Sequence, residues 1–218
     1  MPSIRVHSLL AALGLAVIGN AALAATPLVK AVEAKPLPAV QAPALARGAV
    51  LTDLGSAFIE GDRIGSVHAG TNCNASVERG WSELIRQRVD AEISQAFRDE
   101  LGRTQSFRTA PAGMGAPLTV QAFLNDMDVE VCGAGAGAWK GGFYVQVGWQ
   151  IVSPEGKVIY RASTEGSFLQ PSAQRVSTAS GLRQAVGVAV RNLLADRRFT
   201  ALLEEQGSQR RVALADPI

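Results

Sequence analysis

The sequence predicts an α+β fold, a two-layer sandwich in which two long helices pack on one face of a mixed sheet of about four strands. Two segments, residues 77–101 and 178–194, repeat apolar residues at helical spacing and carry polar residues on the other face. Between them, residues 118–168 alternate apolar and polar side chains, which is typical of strands with one buried face. Since β-prone runs precede the first helix, the predicted order of elements is β-α-β-β-β-α.

The segment from Ala49 to His68 predicts one or two strands, because glycines interrupt its short β-prone runs. Asn72 or Asn74 can cap the helix that follows, and Gly102 is suited to end it. The apolar stripe of this first helix consists of Val77, Trp81, Leu84, Ile85, Val89, Ile93, Phe97 and Leu101.

The three middle strands are predicted to be antiparallel. Alternation that begins at Leu118 changes parity after Leu124, which predicts a bulge near Asn125. Residues 143–151 alternate most clearly, and a turn at residues 153–156 leads into a hairpin partner.

The second helix is predicted to begin near Thr178. Asp196 interrupts its apolar stripe, which then continues for another turn or two. The stripe and its continuation consist of Leu182, Val186, Val190, Leu193, Leu194, Phe199, Leu202 and Leu203.

Cys73 and Cys132 are the two cysteines of the chain, and an even pair in an exported protein predicts a disulfide. A strand–helix–strand crossover makes the first two strands parallel, so the two cysteines fall at the same rim of the sheet. The alternative is two separate buried thiols.

The first 24 residues have the layout of a secretory signal peptide: basic Arg5, an apolar run and a small-x-small cleavage site that ends at Ala24. No cysteine stands near that site, so we expect a periplasmic protein that carries no lipid anchor. The predicted division is a signal peptide at 1–24, an Ala/Pro-rich spacer at 25–48, the α+β domain at 49–206 and a flexible tail at 207–218.

The charge balance argues against a nucleic-acid partner, which would select a basic face. The chain has 21 basic and 19 acidic residues, and cleavage after Ala24 removes one basic residue, Arg5. His68 is the one histidine that remains, and closely spaced zinc ligands are absent from the sequence, so a site formed by His68, Cys73 and Cys132 is disfavoured. We therefore expect neither a metal nor a cofactor, and no catalytic residues.

Asp126, Asp128 and Glu130 occupy alternate positions of one predicted strand and therefore share a face. Paired carboxylates can perform acid–base chemistry or bind calcium. Because no further residue with ligand spacing stands nearby, a solvated strand face is the preferred interpretation. We expect Arg161 to offset their charge by cross-strand pairing.

The glycine-rich run from Gly133 to Gly142 has three interpretations: a phosphate cradle, a membrane-touching loop, or the bend between two strands. A phosphate cradle leads into a helix and places Ser or Thr after its lysine, whereas Lys140 is followed by Gly141 and a strand. The bend is therefore preferred. A self-packed loop is the preferred interpretation, and in the alternative Trp139 and Lys140 near its tip are candidate contacts for a partner.

The hairpin YVQVGWQIVSPEGKVIYRASTEGSF and the helix SGLRQAVGVAVRNLLADRRFTALLEE resemble small bacterial envelope proteins, namely YajG-like lipoproteins and auxiliary lipoproteins of ABC-type transport. Related two-layer domains occur in the Tol-system propeller protein and the curli secretion channel. The resemblance covers about Leu118 to Glu205, and this chain departs from the family in lacking the lipid-acceptor cysteine. The residues that carry the resemblance are Gly156, Val158, Tyr160, Leu193, Asp196, Phe199, Leu202 and Leu203.

The resemblance implies a non-catalytic accessory domain that binds a protein partner in an envelope transport or maintenance assembly. Contact with the membrane is expected to be peripheral at most, and the oligomeric state is left open. A small-molecule or lipid-binding module is the first alternative, and an apolar cavity lined by Trp81, Phe97 and Trp149 would favour it. An exported enzyme built around His68 is the second alternative.

Overall fold

The structure is a computed structural model that describes residues 29–37, 49–69, 72–103, 118–133, 135–153 and 155–203. The predicted signal peptide and flexible tail lie outside these ranges. The described strands are β1 (Ala49–Ser56), β2 (Arg63–Ala69), β3 (Ala75–Gly80), β4 (Leu118–Gly133), β5 (Trp139–Val152) and β6 (Val158–Gln174). The described helices are α1 (Glu83–Arg103), α2 (Thr178–Leu194) and α3, a short helix over residues 197–203.

The six strands form one mixed sheet, in which five follow the order β3-β2-β4-β5-β6 and β1 pairs with β4 off this path. The long strand β4 pairs with β5 along one edge, and β1 and β2 both run parallel to it along the other edge. The parallel pairs confirm the predicted crossover, because the β2–β3 hairpin and α1 connect these strands to β4. The antiparallel meander β4-β5-β6 is also confirmed.

The bulge predicted near Asn125 is confirmed, since the pairing of β4 with β5 shifts register between Leu124 and Asp126. Leu124 and Met127 are both buried, whereas the two residues between them are exposed. One extra residue therefore keeps the apolar side chains of both halves of β4 on the same face of the sheet.

The prediction of about four strands and two helices was too low, because the described residues form six strands and three helices. The first helix was predicted to include Val77, but residues 75–80 form β3 instead. All six residues of β3 are exposed, so no buried face marks it as a strand in the sequence. The helix begins after Ser82, whose Oγ accepts a hydrogen bond from the Ile85 backbone N–H (3.4 Å).

The core lies between the sheet and the helices, as a two-layer sandwich requires. Phe97 of α1 packs against Trp149 of β5 with ring centroids 5.9 Å apart, and both side chains are 1 % exposed. Helix α2 lies directly on β6, because a side-chain carbon at Gly166 would collide with the Ala185 carbonyl. No helix within the described ranges combines the length and the apolar character that a bilayer span requires.

Candidate binding surface on the open face of the sheet

The face of the sheet opposite the helices carries polar and charged side chains, and we call it the open face. Strand pairing aligns its residues in rows across β4, β5 and β6. One row runs Asp126, Gln146, Glu165; the next runs Asp128, Tyr144, Ser167; the third runs Glu130, Gly142, Leu169. The prediction that the three β4 carboxylates share one face is therefore confirmed.

Two residues of β2 contact the carboxylate of Glu130. Its Oε2 lies 2.7 Å from His68 Nε2, and its Oε1 lies 3.4 Å from Arg63 Nη2. The same Arg63 nitrogen donates to Ser66 Oγ at 3.2 Å. Glu130 and His68 are both largely shielded from water, which strengthens their interaction relative to an exposed pair.

Arg161 does not offset the β4 carboxylates, and that prediction was wrong. It pairs with Gln150, two rows beyond Asp126, so it lies nearer the other end of the strands. Arg63 takes this role instead, although burial and the nearby Glu130 carboxylate still raise the pKa of Asp128 above its ordinary value. The sequence could not indicate Arg63, because the alignment of β2 with β4 depends on the long crossover through α1.

Cys73 and Cys132 form the predicted disulfide, with Cα atoms 5.6 Å apart. His68, near the end of β2, pairs directly with Cys132 on β4, so the bridge closes the rim at which two parallel strands end. Two separate buried thiols are excluded, since both sulfurs are bonded to each other.

Among the described residues around His68, no cysteine thiol is free. Both cysteines near it are oxidised, and Ser66 Oγ accepts its hydrogen bond from Arg63. Across the described part of the chain, no group of three His, Cys, Asp or Glu side chains is placed to hold a metal ion.

Trp139 lies in the core, not at an exposed loop tip as a partner contact would require. The side chain is 5 % exposed, its ring meets Phe143 edge-on at 5.5 Å, and its Nε1 donates to the Val176 carbonyl at 2.5 Å. The bend between β4 and β5 is confirmed, but β5 already begins at Trp139, which shortens the loop. Lys140 is half-buried opposite Cys132, and its role as a partner contact stays a prediction.

Residues 29–37, which fall inside the predicted spacer, form neither helix nor strand and lie against the sheet and α2, and we call this segment the strap. Val29 is buried over Gly142, where any side-chain carbon would collide with it. Lys30 Nζ lies 2.6 Å from the Glu165 carboxylate and 5.3 Å from the centre of the Tyr144 ring. The strap thus begins on the open face, over β5 and β6.

The strap then crosses the outer edge of β6, where two side chains bind its backbone. Ser167 Oγ accepts from the Val32 N–H at 2.7 Å and donates to the Val32 carbonyl at 3.3 Å. Asn192 of α2 accepts from the Lys35 N–H at 2.7 Å and donates to the Glu33 carbonyl at 3.3 Å. These contacts recognise main-chain groups and therefore impose few demands on the side chains of the bound segment.

The strap is held weakly for its length, because Val29 is the one residue of the nine that is buried. Complete burial of a side chain of this size contributes about 1.5–3 kcal/mol. Ordering the backbone costs about 1–2 kcal/mol per residue, which opposes docking of the whole segment. Lys30 is exposed, so water screens its ion pair with Glu165 even though that pair lowers the pKa of the Glu165 carboxyl.

The residues that hold the strap carried no signal in the sequence. Glu165 and Ser167 are ordinary polar residues at alternate positions of a strand, and Asn192 is a single polar residue within an apolar helix. The strap itself has the composition of a spacer, and its hydrogen bonds join residues more than 130 positions apart.

A concavity with a volume of about 460 Å³ lies on the helical side, lined mainly by residues of α1 and α2. Its charges are largely paired: Arg183 Nε lies 2.6 Å from Glu92, and Arg103 Nη1 lies 3.0 Å from Glu100. Glu92 raises the pKa of the Arg183 guanidinium by accepting its hydrogen bond. The lining therefore suits a polar ligand better than an acyl chain.

No protein-family model matches the chain, and no curated protein matches it in sequence. Among solved structures, it is similar to a Xanthomonas campestris protein of the DUF330 family, at 16 % identity over 84 % of this chain and 96 % of that one, with a TM-score of 0.38. A candidate lipoprotein from Caulobacter crescentus shares 16 % identity over 51 % of this chain and 83 % of that one, with a TM-score of 0.34.

A candidate homologue of the neuraminyllactose-binding hemagglutinin from Helicobacter pylori shares 11 % identity over 82 % of this chain and all of that one, with a TM-score of 0.32. The identities and TM-scores are too low for any of these proteins to define a function for this chain. The YajG-like resemblance within residues 118–205 stays a prediction.

Proposed function

We propose that the protein is a non-catalytic, exported accessory protein that binds a protein partner in a cell-envelope transport or maintenance assembly. The observation that carries the proposal is the open face, a sheet surface that no described helix covers and that presents charged residues in aligned rows. A charged face of this kind gives an interface its specificity and register. The Cys73–Cys132 disulfide supports export, because such bonds persist in oxidising compartments.

The binding role is favoured over catalysis because two carboxylates of the open face, those of Glu130 and Glu165, already contact basic side chains. His68 and Arg63 contact Glu130, and Lys30 forms an ion pair with Glu165. A general base needs a substrate proton or a nucleophile within reach, and the residues around His68 provide no free thiol for it.

The alternative, a small-molecule or lipid-binding module, was predicted to need an apolar cavity lined by Trp81, Phe97 and Trp149. These three aromatics instead fill the layer between helices and sheet: each is at most 4 % exposed, and Trp81 stacks on Phe58 at 5.1 Å. A tightly packed layer favours the partner-binding hypothesis over the lipid-binding one.

A photo-crosslinking amino acid placed at Gln146, in the middle of the open face, tests the proposal in cells of the source organism. Arg88, on the exposed surface of α1, is the matched control position. We expect one discrete protein adduct from Gln146 and none from Arg88. Adducts from Arg88 alone, or from neither position, would contradict the proposal.

A substitution of His68 in the same cells distinguishes a binding function from a catalytic one. We expect His68→Ala to leave the Gln146 adduct and the cellular phenotype intact, since the imidazole contacts Glu130, which also pairs with Arg63. Loss of the phenotype with an unchanged adduct would favour the enzyme hypothesis instead. Sequencing the amino terminus of the isolated protein tests export, and an intact Met1 would refute it.

A further inference from the structure

We propose that the groove that holds the strap is a docking site for an extended partner segment in which a small apolar residue is followed directly by lysine. In the free protein, the chain's own strap occupies this groove. The inference rests on the proposed function, and it adds which chemistry the partner presents and which part of this chain competes with it.

The groove has a position for each part of such a segment. Gly142, which lacks a side chain, leaves a depression bordered by Leu169 that accepts Val29. The next residue, Lys30, lies between the face of the Tyr144 ring and the Glu165 carboxylate. An aromatic face beside a carboxylate is selective for a cation, so this position specifies lysine or arginine.

Beyond the lysine, recognition passes to the backbone. Ser167 binds both the N–H and the carbonyl of Val32, and Asn192 binds the Lys35 N–H and the Glu33 carbonyl. Because these groups occur in every peptide, any extended segment with the apolar–lysine pair in register can make the same bonds. The side chains of residues 33–37 are exposed, which leaves their identity unconstrained.

The strap suits the role of a displaceable occupant. It contributes one buried residue, and side chains of the domain hold its backbone. A tethered segment competes with a free one at a high effective concentration, so the strap lowers the apparent affinity of the groove for a partner. Weakening the strap should therefore increase the affinity of the groove for a segment supplied in trans.

The test uses the purified full chain and a fluorescent peptide with the sequence PLVKAVEAKPL, residues 27–37, in an anisotropy titration. Lys30→Glu in the full chain places a second negative charge beside Glu165, which repels the tethered strap from the groove. We expect this substitution to tighten peptide binding by about tenfold or more. Lys35→Glu is the matched control, because it changes the same charge but keeps the backbone contact to Asn192. We expect it to bind the peptide as the wild-type chain does.

A charge exchange provides the second arm. Lys30→Glu combined with Glu165→Lys restores the tethered ion pair in reverse, so we expect binding of the lysine peptide to be lost. Equal binding by the wild-type, Lys30→Glu and Lys35→Glu chains would overturn the inference. Binding of the lysine peptide to the doubly exchanged chain as tight as to Lys30→Glu alone would also overturn it.

The outcomes also separate this inference from the proposed function. A Gln146 adduct that forms equally in wild-type and Lys30→Glu cells would leave the partner-binding proposal standing and refute the groove as its docking site. Peptide binding in the absence of any Gln146 adduct would establish the groove and refute the envelope-partner proposal.

Discussion

The two faces of the sheet are made from alternate residues of the same strands, yet they differ in almost every property. On β5, the five residues that face the helices, Phe143, Val145, Val147, Trp149 and Ile151, are at most 4 % exposed. Between them, Gln146 and Gln150 are half-exposed on the open face. The difference shows that stability resides on the helix-covered face, whereas the open face is free to carry charge and binding chemistry.

The largest expected effect comes from breaking the helix-covered face. Trp149→Ala removes a buried indole that packs on Phe97 and whose Nε1 donates to Thr164 Oγ1 at 2.7 Å. We expect a loss of about 3–5 kcal/mol in the free energy of unfolding, measured by urea denaturation. Gln146→Ala on the same strand is the control, and we expect a change within about 0.5 kcal/mol. Similar losses from both substitutions would contradict the division between the faces.

Removal of the disulfide tests how far the stability of the fold depends on this covalent bond at the rim of the sheet. The bonded cysteines are 59 residues apart. By restricting the unfolded chain, a bridge across a loop of that size adds about 4 kcal/mol to the free energy of unfolding. We expect the double substitution Cys73→Ala and Cys132→Ala to lower the free energy of unfolding by up to this amount. Chemical reduction of the wild-type protein should give a similar loss, and an unchanged unfolding curve after complete reduction would refute the prediction.

The smallest expected effect is a gain in stability, and it comes from a substitution at Asp128. Burial and Glu130 raise the pKa of this carboxyl in the folded state, so its charged form opposes folding above that pKa. We expect Asp128→Asn to stabilise the protein at pH 7 by a few tenths of a kcal/mol, since water screens a partly exposed site. The gain should vanish once the pH falls below the ordinary pKa of 3.8, where both side chains are neutral. Thermal unfolding at the two pH values checks the sign, and destabilisation at pH 7 would show that Asp128 is held by an attractive partner.

Much of the fold could be predicted from the sequence wherever a strand or helix has one buried face. Burial on one side produces the alternation on β5, the parity change at Asn125 and the apolar stripe of α2. The structure has the buried faces and the bulge at these positions. β3 was missed for the same reason, because a strand with every residue exposed leaves no such record. Trp139 was misplaced because the glycines before it made the whole run resemble a loop.

The binding surface was predictable only in part. The shared face of Asp126, Asp128 and Glu130 follows from their alternate positions in one strand. Their neutralising partner does not, because Arg63 approaches Glu130 only after β2 and β4 have been aligned across the crossover. Glu165, Ser167 and Asn192 hold the strap through backbone and ion-pair contacts, which leave no pattern in the composition of a spacer-like segment.

The sequence by itself determined which side chains avoid water, because hydrophobic burial gives each strand and helix a repeat of apolar residues that is visible locally. From these repeats follow the two-layer sandwich, the parallel crossover and the cysteine pair. Only the tertiary structure decided which charges meet across β2 and β4, which face stays open and where the strap lies. Those contacts depend on strand register and on segments far apart in sequence, and neither the spacing nor the type of the residues specifies them.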